Sequence, residues 1–138
     1  MSEFISKSPS DTEKIAENFA KTLKGGEVIA FKGGLGMGKT CFVRGLAKGL
    51  GFNGEVTSPT FAIVNEYLGG KFNLYHFDMY RIEGWDDLFS IGYFDYISDD
   101  SVLAVEWSEN IENCLDNNTI YINIASSGEN ERIITIGK

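Results

Sequence analysis

The sequence predicts an α/β domain: a sheet flanked by helices, with additional antiparallel strands. Three observations carry this expectation. Short, mostly apolar runs of the kind buried in a sheet occupy residues 27–31 and 101–107. Two stretches carry apolar residues at helical spacing: Ile15, Phe19 and Leu23, and then Phe42, Val43, Leu46, Ala47 and Leu50. Paired strand-like runs separated by glycine-rich or polar turns occur at residues 61–77 and again beyond residue 119.

Taken in order, Ser10-Asp11-Thr12-Glu13 has the form of a capping box opening the first helix, and Gly25-Gly26 supplies a left-handed stop. Residues 27–31 form the first strand. A glycine-rich loop follows, then a helix over 41–50 ended by Gly49 and Gly51. Thr57-Ser58-Pro59-Thr60 is a polar loop in which Pro59 breaks regular structure. Residues 61–67 and 71–77 predict two strands joined by a tight turn at Gly69-Gly70. A short helix is expected over 85–91 and a buried strand over 101–107. The last two strands, 119–125 and 132–136, flank the turn-rich 126–130. Neither an internal repeat nor a linker interrupts the series, so one domain spanning 1–138 is expected.

Composition bounds the function. The 138 residues are 43% hydrophobic and 13% aromatic, as in a folded chain with a core. A formal net charge of −8 argues against a broad nucleic-acid-binding face, which needs clustered Lys and Arg. Cys41 and Cys114 have no metal-ligand spacing and read as reduced thiols. No apolar run approaches the ~20 residues that span a bilayer, and Met1-Ser2-Glu3-Phe4-Ile5 lacks the blocks of a signal peptide. A cytoplasmic protein without membrane association is the expectation.

The loop Gly33-Gly34-Leu35-Gly36-Met37-Gly38-Lys39-Thr40 matches the phosphate-cradling pattern G-x-x-x-x-G-K-[ST]. Gly33, Gly36 and Gly38 let the backbone curl so that its N–H groups point inward at phosphate oxygens. The helix beginning near Lys39 adds its positive end. Lys39 is suited to the β- and γ-phosphates and the Thr40 hydroxyl to Mg²⁺. A buried strand before and a helix after make this a P-loop NTPase-like sheet, with ATP and Mg²⁺ as the expected ligands.

Such a loop needs a carboxylate at a neighbouring strand end to hold the metal and its water. Asp78, after Leu74-Tyr75-His76-Phe77, and Glu106, after Val102-Leu103-Ala104-Val105, both have that placement. Residues 57–61 sit where P-loop proteins keep a loop sensing the γ-phosphate, although a plain strand-initiating turn fits equally well. Trp107 would lie near the nucleotide if Glu106 does. His76, the one histidine, reads as a satisfied core residue.

Beyond the P-loop, the strings Phe42-Val43-Arg44-Gly45-Leu46, Val56-Thr57-Ser58-Pro59-Thr60-Phe61, Val64-Asn65-Glu66-Tyr67, Leu74-Tyr75-His76-Phe77-Asp78-Met79-Tyr80-Arg81 and Glu106-Trp107 follow in order. In them the chain resembles the TsaE (YjeE) family of bacterial threonylcarbamoyladenosine biosynthesis ATPases. The resemblance implies an ATPase acting with TsaD and TsaB in modifying tRNA beside the anticodon, with tRNA held mainly by the partners. By position it implies Lys39 and Thr40 for phosphate and Mg²⁺, Glu106 as the Mg²⁺ ligand, and Asp78 to ligate metal or orient water. It also implies Thr60 in a switch-like loop, Cys41 in the nucleotide site, and residues 10–12, Thr12 among them, near the base. Gly34 stands where the family usually has an acid, Met37 where it has Ala, and Cys41 where it has Thr or Ser.

Three other readings stay open on residues alone. A small-molecule kinase would need an arginine-bearing lid, whereas Arg44, Arg81 and Arg132 are widely spread. A GTP switch would need the absent string Asn-Lys-x-Asp. The third is a nucleotide-stabilised interaction protein without turnover.

Overall fold

The computed structural model describes residues 2–32, 38–54 and 64–138. Its strands are β1 (Ser2–Ser6), β2 (Val28–Lys32), β3 (Val64–Tyr67), β4 (Asn73–Asp78), β5 (Ser101–Glu106), β6 (Ile120–Ser126) and β7 (Arg132–Gly137). They form one sheet in the order β1-β7-β6-β2-β5-β4-β3. β6, β2, β5 and β4 run parallel, and β3, β7 and β1 pair antiparallel at the flanks. The helices are α1 (Pro9–Ala20), α2 (Lys39–Gly49) and α3 (Trp85–Ser90), with 3₁₀ segments at Tyr93–Tyr96 and Ser108–Cys114.

Side-chain alternation along β5 divides the core in two. Val102 and Ala104 join Phe31, Phe42 and Leu46 beneath α1 and α2. Leu103 and Val105 face the other way, with Phe77, Met79, Leu88 and Tyr93 beneath α3 and the 3₁₀ segments. Burial raises the Tyr93 hydroxyl far above its ordinary titration range, with Cys114 and Asp116 adding to the effect, so this ring is a neutral core residue.

The first helix begins earlier than its apparent capping box. Ser8, not Ser10, is the N-cap: its Oγ accepts from the Asp11 N–H at 3.0 Å, and Pro9 takes the first helical turn. The helix also ends at Ala20, ahead of Gly25-Gly26. Gly25 and Gly26 do adopt the expected left-handed conformation, with φ of 94° and 89°, and a Cβ on Gly25 would also lie 2.0 Å from the Asp99 carbonyl oxygen. β1 was not expected, because Phe4 and Ile5 are both exposed and its place comes from main-chain pairing with β7. The expected strand over 61–67 is observed from Val64, positions 61–63 lying outside the described residues.

α1 and α2 approach through small residues. A Cβ on Gly45 would lie 2.1 Å from the Glu13 carbonyl oxygen and 2.6 Å from the Ala16 methyl. Both obstacles are on the facing helix and one is backbone, so no side-chain rotation relieves them. Gly45→Leu is therefore expected to destabilise the fold by about 3 kcal/mol or more. Chemical denaturation would measure this, and an unchanged midpoint would contradict the helix–helix contact.

Candidate nucleotide and metal site

The parallel strands β2, β5 and β4 are adjacent and end at the same edge of the sheet, the edge where α/β proteins form ligand crevices. Beyond β2 the described chain resumes at Gly38, whose φ of 95° precedes the first turn of α2. Lys39 opens that helix and is 5% exposed. Its Nζ lies 5.9 Å from the centroid of the Trp107 ring, and no described carboxylate forms an ion pair with it. A buried cation at a positive helix end is doubly unfavourable, the arrangement expected where an anionic ligand offsets both costs.

Asp78 ends β4 and Glu106 ends β5, as direct register partners across the two strands. Their parity is that of Val102 and Ala104, so both carboxylates lie on the α2 face of the sheet. Asp78 Oδ1 accepts from the Tyr80 N–H at 2.9 Å, which turns the chain at the strand end. Glu106 is only 12% exposed at its side chain, and its Oε2 lies 2.6 Å from Nε2 of the fully buried His76.

That contact corrects the sequence reading of His76. The ring is buried in the core, but it is not satisfied there: one nitrogen meets the candidate metal carboxylate and Nδ1 has no partner. With the carboxylate accepting, Nε2–H donates. The ring thereby fixes one Glu106 oxygen and leaves the other to a ligand. Spacing held the missed signal, since His76 lies two residues before Asp78 and so shares its face of the strand.

Trp107 follows Glu106 with φ 59°, the one described non-glycine residue with positive φ. Such a conformation costs on the order of 1–3 kcal/mol and persists where packing enforces it. Here Trp107 stacks edge-on against Tyr80 at 4.9 Å, and the next residue, Ser108, donates to the Phe31 carbonyl at 2.9 Å. The strained turn thus aims the indole at Lys39.

The remaining expected residues divide. Thr40 and Cys41 lie in the first turn of α2, with the Cys41 sulfur 3.9 Å from Arg44 Nη1. Thr12 is 3% exposed and its Oγ1 is 2.6 Å from Ser6 Oγ, which packs it where β1 meets α1. Gly33, Gly34, Leu35, Gly36 and Met37 lie outside the described residues, as does the 57–61 loop with Thr60.

No group of three or more His, Cys, Asp or Glu among the described residues gathers to hold a metal by itself. The candidate donors are Glu106 and Asp78 at the strand ends and Thr40 in the first turn of α2. These are all oxygen ligands and too few to surround an ion. They fit Mg²⁺, which keeps several waters and draws further ligands from substrate phosphates.

A mixed sheet with a parallel centre, whose central strand leads toward a lysine at the start of a helix and whose neighbouring strands end in acids, defines a P-loop ATPase-like protein. Comparison with known proteins makes the assignment specific. Residues 6–134 match the sequence model of the family described as "Threonylcarbamoyl adenosine biosynthesis protein TsaE". The chain belongs to the TsaE family.

Among its relatives, the tRNA threonylcarbamoyladenosine biosynthesis protein TsaE of Treponema pallidum is 37% identical, over 96% of this chain and 97% of that one. The protein of the same name from Aquifex aeolicus is 42% identical, over 99% and 96%. That of Bacillus subtilis is also 42% identical, over 92% and 79%. The crystal structure of Bacillus subtilis YdiB superposes with a TM-score of 0.79 at 37% identity, covering 98% of this chain and 83% of that one. No helix among the described residues is long and apolar enough to cross a membrane.

Proposed function

We propose that this chain is a single-domain, Mg²⁺-dependent ATPase, required for threonylcarbamoyladenosine modification of tRNA next to the anticodon. It acts in the cytoplasm with TsaD and TsaB and drives or resets their cycle, while the partners hold the tRNA. The observation that carries this reading is the convergence of Lys39, Glu106 and Asp78 at one sheet edge, with His76 buried against Glu106. The names of the relatives support the tRNA role.

In this mechanism water attacks the γ-phosphorus of ATP, the bond to the β-phosphate oxygen breaks, and ADP, phosphate and a proton result. Bound Mg²⁺ supplies charge neutralisation at the phosphate oxygens. Lys39 would meet the β- and γ-phosphates from the start of α2, the role that the G-x-x-x-x-G-K-[ST] pattern of residues 33–40 assigns to it. Glu106 and Thr40 would supply the protein's oxygens to the metal, and Asp78 would orient water at the strand end. Trp107, its ring centroid 5.9 Å from Lys39 Nζ, would lie near the nucleotide, and Thr60 belongs to a loop sensing the γ-phosphate.

The test is Mg²⁺-dependent ATP hydrolysis by the pure protein, repeated with cognate TsaB and TsaD. A low rate that rises with both partners is expected. Clear ATP binding with no response to the partners would count against a partner-driven cycle.

A further inference from the structure

A second feature lies outside the nucleotide site. Trp85 and Phe89 of α3 are 50% and 66% exposed, and they stack on each other and on Phe94. The Trp85 and Phe94 rings are near-parallel, 14° apart at 5.5 Å between centroids, and Phe89 lies 5.0 Å from Phe94. Leu88, fully buried, anchors the helix beneath them. Exposing Trp85 and Phe89, which pack on the half-buried Phe94, forgoes burial that would stabilise the chain, and such patches mark interaction surfaces. Because the rings already hold one another in place, ordering them on binding costs little.

The segment that carries the patch is acidic. Residues 82–131 contain twelve of the twenty acidic residues and none of the twelve basic ones. Glu83 and Asp86 stand exposed beside Trp85. We propose that this patch is the docking surface for a protein partner that presents an apolar centre inside a basic rim. Repulsion of phosphates disfavours RNA as the occupant. Two copies meeting through the same patch would bring acid against acid.

The patch also leads to the nucleotide site. Trp85 and Glu83 share a groove with Asn110, whose Nδ2 donates to the Met79 carbonyl at 2.8 Å and the Tyr80 carbonyl at 3.2 Å. Tyr80 in turn stacks on Trp107, beside Lys39. A partner seated on the aromatic patch therefore presses on the element that carries Trp107, a physical route by which docking changes turnover.

This inference rests on the proposed role with TsaD and TsaB, which supply the probe. Binding of the full chain to the cognate TsaD–TsaB complex would be measured by calorimetry at low and moderate salt, for the wild type, Phe89→Ser and Glu83→Lys. Thermal unfolding and ATP affinity serve as controls, because neither position belongs to the nucleotide site. Phe89→Ser is expected to weaken binding at least tenfold, and Glu83→Lys to weaken it severalfold at low salt while flattening its salt dependence. Wild-type affinity in both variants would overturn the docking surface and leave the partner reading standing. A wild-type protein that fails to bind the complex would remove both. Concentration-dependent dimerisation abolished by Phe89→Ser would assign the patch to a second copy instead and overturn the proposal.

Discussion

Lys39→Ala is expected to weaken ATP binding by up to roughly a hundredfold while leaving the ligand-free protein as stable as before, or more so. The affinity loss follows from removing a charge-assisted contact to phosphate, worth up to about 3 kcal/mol, with tenfold for each ~1.4 kcal/mol. The stability half is the sharper part. Lys39 is 5% exposed, opens α2 at the end where the helix dipole repels a cation, and has no ion-pair partner among the described residues. A lysine serving the fold would lower the melting temperature when truncated, whereas one held for a ligand would not. Calorimetric titration with ATP and a thermal melt on the same sample separate the two. Unchanged affinity together with a lower melting temperature would make Lys39 a structural residue and remove the phosphate cradle.

The elements around this site were legible because their signals are local. Val102-Leu103-Ala104-Val105 has to be buried on both faces, and only a central parallel strand offers that, so β5 and the acid ending it could be placed from the string alone. The same held for β2 and for α2. β1 was invisible for the opposite reason: its outward Phe4 and Ile5 show no alternation, and its pairing with β7 is a main-chain contact across the length of the chain. The misplaced cap of α1 shows a third limit. Ser8 and Ser10 both precede the helical stripe, and only the bond from Asp11 N–H to Ser8 Oγ decides between them. His76 marks the boundary within the site. Its place two residues before Asp78 was readable, but its reach to Glu106 depends on which strand lies beside β4, and no local pattern encodes that neighbour.

Glu106→Ala is expected to erase the dependence of ATP affinity on Mg²⁺, and His76→Phe to reduce that dependence about tenfold with Glu106 still present. Outer partners of a metal ligand typically contribute 10–100-fold to metal affinity by fixing its orientation. Here the 2.6 Å contact from the buried His76 holds Oε2 of the carboxylate in place. Phenylalanine keeps most of the ring volume, and Nδ1 has no partner to lose, so the packing of β4 should tolerate it. Glu106→Ala carries an extra cost, because it strands the buried Nε2–H without an acceptor, at about 1–3 kcal/mol of stability. The informative comparison is ATP affinity with Mg²⁺ against ATP affinity in EDTA, measured for both variants and their combination. If His76 acts through Glu106, adding His76→Phe to Glu106→Ala changes the Mg²⁺ dependence no further and restores part of the lost stability. If the two losses instead add independently, or if His76→Phe lowers affinity equally with and without Mg²⁺, the ring does not position the carboxylate and its contact with Glu106 is a feature of packing alone.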